Sequence, residues 1–461
     1  MKYILKLLLS LPALLCADQK PNIILINVDD MGWTDIGSLG SEYYQTPNLD
    51  RLIANGIKFS NAYAGAANCA PSRACLISGQ SSPRHGVYTV GSSERGKPEQ
   101  RKLIPTPNQI FLPPNTRTIG HAMSDAGYET ITLGKWHVGE DPLLQGFKYN
   151  VGGCHLGGPY NGGYHSPFKF PNCEAKEEGT YLTDYITGRA IDFIKDNAQK
   201  PFFMYFPFYA MHSPLQAKKD KVAKFKNIKT SKAHNNAIYA AMLESLDENI
   251  GRLVKVLEEF KLDKNTLIIF TTDNGGVWKF SKNWPLRAGK GSYFEGGIRV
   301  PTFAYWPGKI KAGSSSDIPI TALDMYPTLL DIAESAKKEK KILDGASFKE
   351  LLFGQAPKFD PQRPLVWHFP IYLQAGYNEC HDMAFRTRPG SIIRIGDWKL
   401  HQYFEDGRFE LYNLKDDLSE QNNLAAKHPE KVEKLLAQLN KWRQDMKAPI
   451  PRELNPQYKG Q

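Results

Sequence analysis

The sequence has little cysteine, no internal repeat and, past its N-terminus, no apolar run long enough to span a bilayer. Six cysteines in 461 residues are too few for a disulfide scaffold. A chain this long instead buries a large core, with room for a second, smaller one. The missing repeat excludes a solenoid. The missing apolar run argues against a stable membrane anchor. No nucleic-acid-binding motif is recognisable either, which makes nucleic acid a poor partner for an exported chain. With 41% hydrophobic and 23% charged residues, there is no compositional bias toward disorder.

Residues 1–17 read as a secretory signal, which implies a periplasmic or secreted protein. Lys2 and Lys6 form the basic region, Leu7 to Leu15 the apolar region, and Cys16-Ala17 the small-residue cleavage site. Lipidation at Cys16 is disfavoured because Leu14 and Leu15 stand where small residues are wanted. The charge is 58 − 48 = +10 for the whole chain and 56 − 48 = +8 without Lys2 and Lys6. A basic surface steers polyanions, sulfated glycans among them, although plain solubility is an equal reading of the charge. Of the cysteines left, Cys154 and Cys173 flank a Gly-rich loop and make a plausible disulfide. Cys75 and Cys380 complete a set of four with three possible connectivities.

Two strands end in oxygen donors. Pro21 to Val28 is nearly all apolar, as a central parallel strand should be, and runs into Asp29-Asp30-Met31-Gly32. Leu267 to Thr272 is similar and runs into Asp273-Asn274-Gly275-Gly276. Open α/β sheets hold their ligands at such strand ends. Adjacent carboxylates repel unless a cation neutralises them. Asp29-Asp30 alone is better read as a solvated turn; with Asp273-Asn274 it would complete a four-ligand, oxygen-only site suited to Ca²⁺ or Mg²⁺. Gly134-Lys135-Trp136-His137 follows another strand, and Lys135 and His137, two apart, can face one cleft. His212 follows the strand Phe202 to Phe206, and glycines bracket Lys290. Each of these has a bland reading: a surface lysine, a packed histidine. Glu295 and Arg299 read as an internal structural pair.

The remaining elements follow from periodicity. Helices are expected over Thr118 to Ala126, Tyr181 to Ile194, Ile238 to Phe260, Ile318 to Ile332 and Glu430 to Met446. Ile238, Met242, Leu246, Leu253 and Leu257 form the apolar stripe of the third, and its acids Glu244 and Asp247 read as surface groups. Lys218 to Lys232 reads as a solvated excursion. The Gly- and aromatic-rich stretch 151–178 is a long loop of the kind that carries function or forms a structural insert. The charge run Ser335 to Lys341 is the expected boundary between a main domain, 18–340, and a C-terminal subdomain, 341–461. Four short antiparallel strands are expected beyond it, with a turn at Glu405-Asp406-Gly407.

The most unusual stretch is Cys69-Ala70-Pro71-Ser72-Arg73, continuing to Leu76, Ser78 and Gly79. Pro71 suits the first turn of a helix. Cys69 then sits at the helix N-terminus, where free N–H groups favour negative charge, and Arg73 can turn back toward it. The bland reading is a buried cysteine at a helix start.

Cys-x-Pro-Ser-Arg-x-x-Leu-x-Ser-Gly resembles the signature of the formylglycine-dependent sulfatases, with Gln80 departing from the usual Arg. The resemblance extends, in order, over Asp29, Asp30, Cys69, Arg73, Lys135, His137, His212, Asp273, Asn274 and Lys290. It implies the alkaline-phosphatase-like α/β sandwich: a large mixed sheet between helices, plus a small C-terminal α+β subdomain. It implies a Ca²⁺ held by Asp29, Asp30, residue 69, Asp273 and Asn274. Cys69 would be oxidised to 3-oxoalanine (formylglycine) by a formylglycine-generating or sulfatase-maturating enzyme. Lys135, Lys290 and Arg73 would neutralise sulfate. His212 would act as acid and His137 as base, or the reverse. A sulfated carbohydrate is the expected substrate, met at its rim by His85, His155, His165, Arg386 and Arg388, with His381 near the last two. Phosphate or phosphonate monoester hydrolases share the fold. A non-catalytic glycan binder would have lost ligands, and none is lost.

Overall fold

The computed structural model describes residues 20–160, 162–335 and 339–460. The signal expected over 1–17 and the middle of the 335–341 charge run lie outside them. Among the described residues no helix is long and apolar enough to cross a membrane.

Asn22–Val28 is apolar along its whole length because both faces of its sheet are covered. Ile24, Ile26 and Val28 enter one core, and Ile23 and Leu25 enter the other. The helices Leu182–Asp196 and Ala237–Glu259 close the first face. Cys69–Ser78, Ile119–Asp125 and Met325–Ile332 close the second. The sheet has eight strands. In spatial order they are Tyr149–Val151, Glu129–Leu133, Phe202–Pro207, Asn22–Val28, Thr266–Thr272, Thr302–Tyr305, Ile57–Phe59 and Ser314–Ser316. Thr302–Tyr305 runs antiparallel to both neighbours, which makes the sheet mixed; the other pairings are parallel. This is the α/β sandwich expected from the sequence.

Five expectations change. The helix expected over Ile318 to Ile332 is a strand, Ile320–Thr321, a 3₁₀ turn, Ala322–Asp324, and a helix, Met325–Ile332. Pro327 has no N–H to bond a preceding turn, so an α-helix cannot run through it and restarts with the proline in its first turn. In Ala237–Glu259 the apolar stripe is shifted by one residue at its start: Tyr239 is buried and Ile238 is exposed. Asp247 on the same helix is buried, not at the surface. It accepts the backbone N–H groups of Asn48 (3.1 Å) and Leu49 (2.8 Å), capping Pro47–Ala54. The lysine-rich excursion contains the helix Lys219–Lys226, whose Phe225 is in the core and whose Lys221 pairs with Glu244 at 3.1 Å. Cys154 and Cys173 are buried free thiols, as are the other three described cysteines.

Beyond the main sheet, Leu365–Phe369, Gly390–Ile395, Trp398–Tyr403 and Phe409–Asn413 form an antiparallel meander. Pro429–Met446 covers it, with Leu435 and Leu439 against Ile393, Leu400 and Leu411. The preceding segment belongs to the larger unit: Phe348, Leu351 and Leu352 pack in the main core. Buried charges connect the two. Glu295 pairs with Arg299 (3.3 Å) and with Lys399 (2.9 Å) from the meander, and Lys399 also meets Glu420 (2.9 Å). Burial alone would raise the Glu295 carboxyl, but Lys399 and Arg299 hold it down at about 2. Lys399→Met therefore leaves two buried carboxylates facing each other. It is expected to cost about 3–5 kcal/mol in urea unfolding; a loss within 1 kcal/mol of zero would mean the network does not hold the two units together.

Candidate active site

Val28 and Thr272 are in register on adjacent parallel strands. Their continuations, Asp29-Asp30 and Asp273-Asn274, therefore emerge side by side. The Asp273 N–H donates to Val28 O (3.1 Å) and the Asp30 N–H to Asp273 Oδ1 (3.2 Å). Met211 on the neighbouring connection donates its N–H to Asp29 O (2.6 Å), and Lys135 donates its N–H to Pro207 O (2.7 Å). The three carboxylates, Asn274, Lys135 and the segment carrying His212 thus follow the C-terminal edge of one sheet.

Cys69 begins a helix of ten residues, all buried, that stops at left-handed Gly79. The Cys69 Sγ lies 3.7 Å from Asp29 Oδ1 and 4.0 Å from Asp30 Oδ1. Ligand atoms of Asp29, Cys69 and Asp273 all fall within 4.8 Å of one another. Three cations face three carboxylates. Lys135 Nζ is 2.6 Å from Asp29, Lys290 Nζ is 2.7 Å from Asp30, and Arg73 Nε is 2.8 Å from Asp273. Arg73, one turn into the helix, also donates to Lys135 O (2.9 Å).

The charges shift one another. Burial raises the Asp29 carboxyl, against the pull of Lys135. Burial also lifts Asp273, to about 6, with Asp29 adding to the rise. For Asp30, burial is outweighed by Lys290 and His212, and its carboxyl is held below the usual range. Burial would raise the Cys69 thiol; Lys135 and Lys290 more than reverse this and bring it to about 6. The two histidines diverge. Burial, Lys135 and Arg73 push His137 well below its ordinary value. Burial lowers His212 too, but Asp29 outweighs it and the net shift is upward.

The histidines are held differently as well. His212 Nδ1 faces Ser213 O at 2.6 Å, which leaves Nε2 directed at Asp30 Oδ2, 3.8 Å away. His137 has a left-handed backbone, φ 64°, as does Asp30, φ 56°. Such strained positions persist where the surroundings over-determine them. The long loop closes over both rings. A Cβ on Gly157 would sit 2.6 Å from the His137 ring, and one on Gly158 would sit 2.7 Å from His212 Nδ1. Tyr160 stands edge-on to His212 at 5.7 Å.

Three buried atoms of these site residues lack hydrogen-bond partners: Asn274 Oδ1, His137 Nδ1 and Arg73 Nη2. The Asn274 amide already donates to Asp30 Oδ1 (2.8 Å) and Gly275 O (2.9 Å), so its oxygen is the end left free to accept.

The expected rim residues do not all gather. Arg386 does, donating to Lys290 O at 3.2 Å. His85 lies near the far end of the Cys69 helix: its Nε2 is 3.6 Å from Cys75, and its Nδ1 accepts the Val87 N–H (3.1 Å). His155 is exposed and pairs with Glu140 at 3.1 Å. His165 leans on Tyr181 and Gly179 O. Arg388 is neutralised by Asp382 (2.5 Å) and Glu405 (2.7 Å). Sequence reasoning missed the support under Asp30. Asp35 accepts the Gly32 N–H (2.7 Å) and the Tyr239 hydroxyl (2.5 Å), and that hydroxyl also reaches Asp30 O (3.3 Å). The available signal was Asp35 following so closely on the Asp29-Asp30 turn.

Comparison with known proteins agrees with this geometry. A family model described as "Sulfatase" matches residues 21–335, and one described as "N-sulphoglucosamine sulphohydrolase, C-terminal" matches residues 289–448. A sulfatase of Formosa agariphila is 35% identical, over 90% of this chain and 86% of its own length. The N-acetylgalactosamine-6-sulfatase of Homo sapiens is 33% identical, over 80% of this chain and 72% of its own. The crystal structure of Ps i-CgsB superposes with a TM-score of 0.75 at 31% identity, covering 92% of this chain and 93% of that one. The same protein in complex with k-i-k-neocarrahexaose gives 0.76 at 29%, over 94% and 95%. Carboxylates at two strand ends, a cysteine at a helix start and matching family models lead to one assignment: this chain belongs to the sulfatase family and is a sulfuric ester hydrolase.

Proposed function

We propose that the chain removes sulfate from a sulfated carbohydrate after export, with Cys69 converted to formylglycine by a maturation enzyme and one Ca²⁺ held by Asp29, Asp30, Asp273 and Asn274 beside residue 69. The observation that carries this reading is the enclosure of Cys69 by three carboxylates and three cations at a buried strand-end site. Relatives named for N-acetylgalactosamine 6-sulfate, and the oligosaccharide complex of Ps i-CgsB, support a sugar substrate.

The donor set fits the ion. Three carboxylates and an amide are hard oxygen ligands, and Asn274 Oδ1 is buried with no other partner. A bound Ca²⁺ supplies Lewis acidity that acidifies a neighbouring hydroxyl. A formylglycine at position 69, once hydrated, would supply two hydroxyls on one carbon, one as nucleophile toward sulfur and one whose proton loss would let sulfate leave as the aldehyde re-forms. Lys135, Lys290 and Arg73 hold the sulfate oxygens and offset the charge that develops during transfer. His212, biased toward its protonated form and anchored through Nδ1, gives its Nε2 proton to the leaving sugar oxygen. His137, biased toward its neutral form and with Nδ1 unpartnered, takes the proton from the second hydroxyl.

Four outcomes are expected. The tryptic peptide containing residue 69, from protein co-expressed with a formylglycine-generating enzyme, should have the mass of the aldehyde or its hydrate, and Cys69→Ala should reduce sulfate release by about 10⁴-fold or more. An unmodified thiol, with a control sulfatase fully converted, would sink the nucleophile assignment. Chelation should lower the melting temperature and Ca²⁺ should restore it, whereas Asn274→Ala should lose most of that increment; equal responses would remove Asn274 from the ion site. His212→Gln should slow sugar sulfates by roughly 10²–10⁴-fold and slow aryl sulfates, whose leaving groups need no proton, far less. His137→Gln should instead release one equivalent of alcohol per enzyme and stall, which single-turnover kinetics will distinguish.

A further inference from the structure

Beside the catalytic cations lies a second group of positive charges that the chemistry above does not use. The loop 91–97 packs on the short antiparallel pair Leu373–Gln374 and Phe385–Thr387, with Gly96 directly against Phe385. This brings Arg95 and Arg386 together. Arg95 donates through Nε to Gln374 Oε1 (2.8 Å) and through Nη1 to Val90 O (2.6 Å). Arg386 donates through Nε to Ala375 O and through Nη1 to Lys290 O, both at 3.2 Å. Each guanidinium is thus fixed by two bonds to neutral oxygens. Gly291 admits the stem of Arg386: a Cβ there would meet Arg386 Cδ at 2.8 Å.

No carboxylate balances this pair. Among the described residues neither Arg95 nor Arg386 forms an ion pair, unlike Arg388 nearby. Arg101 adds to the imbalance. It is buried, donates to Arg95 O (3.1 Å) and Gly96 O (3.3 Å), and also has no ion pair. Burial and the charge of Arg386 both depress Arg95, as expected of like charges held together without a counter-ion. Both side chains remain partly accessible. Lys290 connects the two groups: its carbonyl receives Arg386, while its ammonium, at the other end of the side chain, holds Asp30. Its side chain is 14% exposed, against 0% for Lys135 and Arg73, so the site opens on this side. Paired guanidiniums with free N–H groups are built for bidentate binding of carboxylate or sulfate.

We propose that Arg95 and Arg386 bind a second anionic group of the substrate, a sulfate or carboxylate on the same sugar or the next, so that the enzyme selects saccharides carrying two anions over those carrying one. This rests on the reading of the substrate as a sulfated saccharide. It assigns a role to Arg95, which no motif indicated, and a specific partner to Arg386.

The test is calorimetric titration of the full-length Cys69→Ala protein, which cannot turn over its ligand. Three probes are used: N-acetylgalactosamine 6-sulfate, its 4,6-disulfate, and an unsaturated uronyl disaccharide of the 6-sulfate. At least one doubly anionic probe should bind about tenfold or more tightly than the monosulfate, and which one does identifies the second anion as sulfate or carboxylate. Arg95→Gln and Arg386→Gln, each in the same background, should erase that preference and weaken the monosulfate far less. Equal weakening for all probes would indicate a merely structural pair and overturn the proposal, as would equal binding of the three probes or no binding of any. Release of sulfate from 4-nitrophenyl sulfate by the matured wild-type enzyme decides separately whether the sulfatase chemistry stands.

Discussion

Three buried carboxylates share one small volume at the edge of this sheet, and the rest of the site follows from how they are tolerated. Asp29, Asp30 and Asp273 each have their own cation, and the six side chains sum to zero charge. Without Lys135, Lys290 and Arg73, desolvation and mutual repulsion would keep the acids protonated. With them, the acids stay available as ligands. The same cations lower the Cys69 thiol and drive His137 toward its neutral form. The lysines and arginine therefore act as structural counter-charges, in addition to the sulfate contacts proposed for them.

Backbone geometry brings these groups together. Parallel strands in register end at the same height, so residues distant in sequence, Asp29 and Asp273 among them, emerge as neighbours. The Cys69 helix approaches from the opposite face to Ala237–Glu259, yet Tyr239 on that long helix still reaches the Asp30 turn. Both layers thus hold the site. The C-terminal meander is fastened to the main unit through Lys399 and Glu295, and the strand pair inserted between its first two strands places Arg386 beside Lys290.

Most of the fold was legible because its elements are locally consistent: apolar strands, amphipathic helices and glycine stops mark themselves. What failed was long-range. Asp247 looks like any polar residue on a helix until a second helix end is placed against it. Cys154 and Cys173 looked paired only because they flank one loop. Among candidate site residues, those in strand-end or helix-start motifs came together in space. His85, His155 and His165 did not, since a histidine in a turn or loop says nothing about where its ring points. Arg95 carried no signal, because its importance comes from an absent counter-charge, which is a property of three-dimensional neighbours.

The burial of Cys69 has a consequence for the order of events in the cell. Its side chain is 2% exposed, and every residue of its helix is covered. Conversion of Cys69 as proposed would require an enzyme to reach a side chain that the finished fold covers. Modification and folding would then compete for the same chain. Whichever was faster would set the active fraction, and a stabilising substitution in the Cys69 helix that hastened folding would yield a sounder protein with less of it able to work.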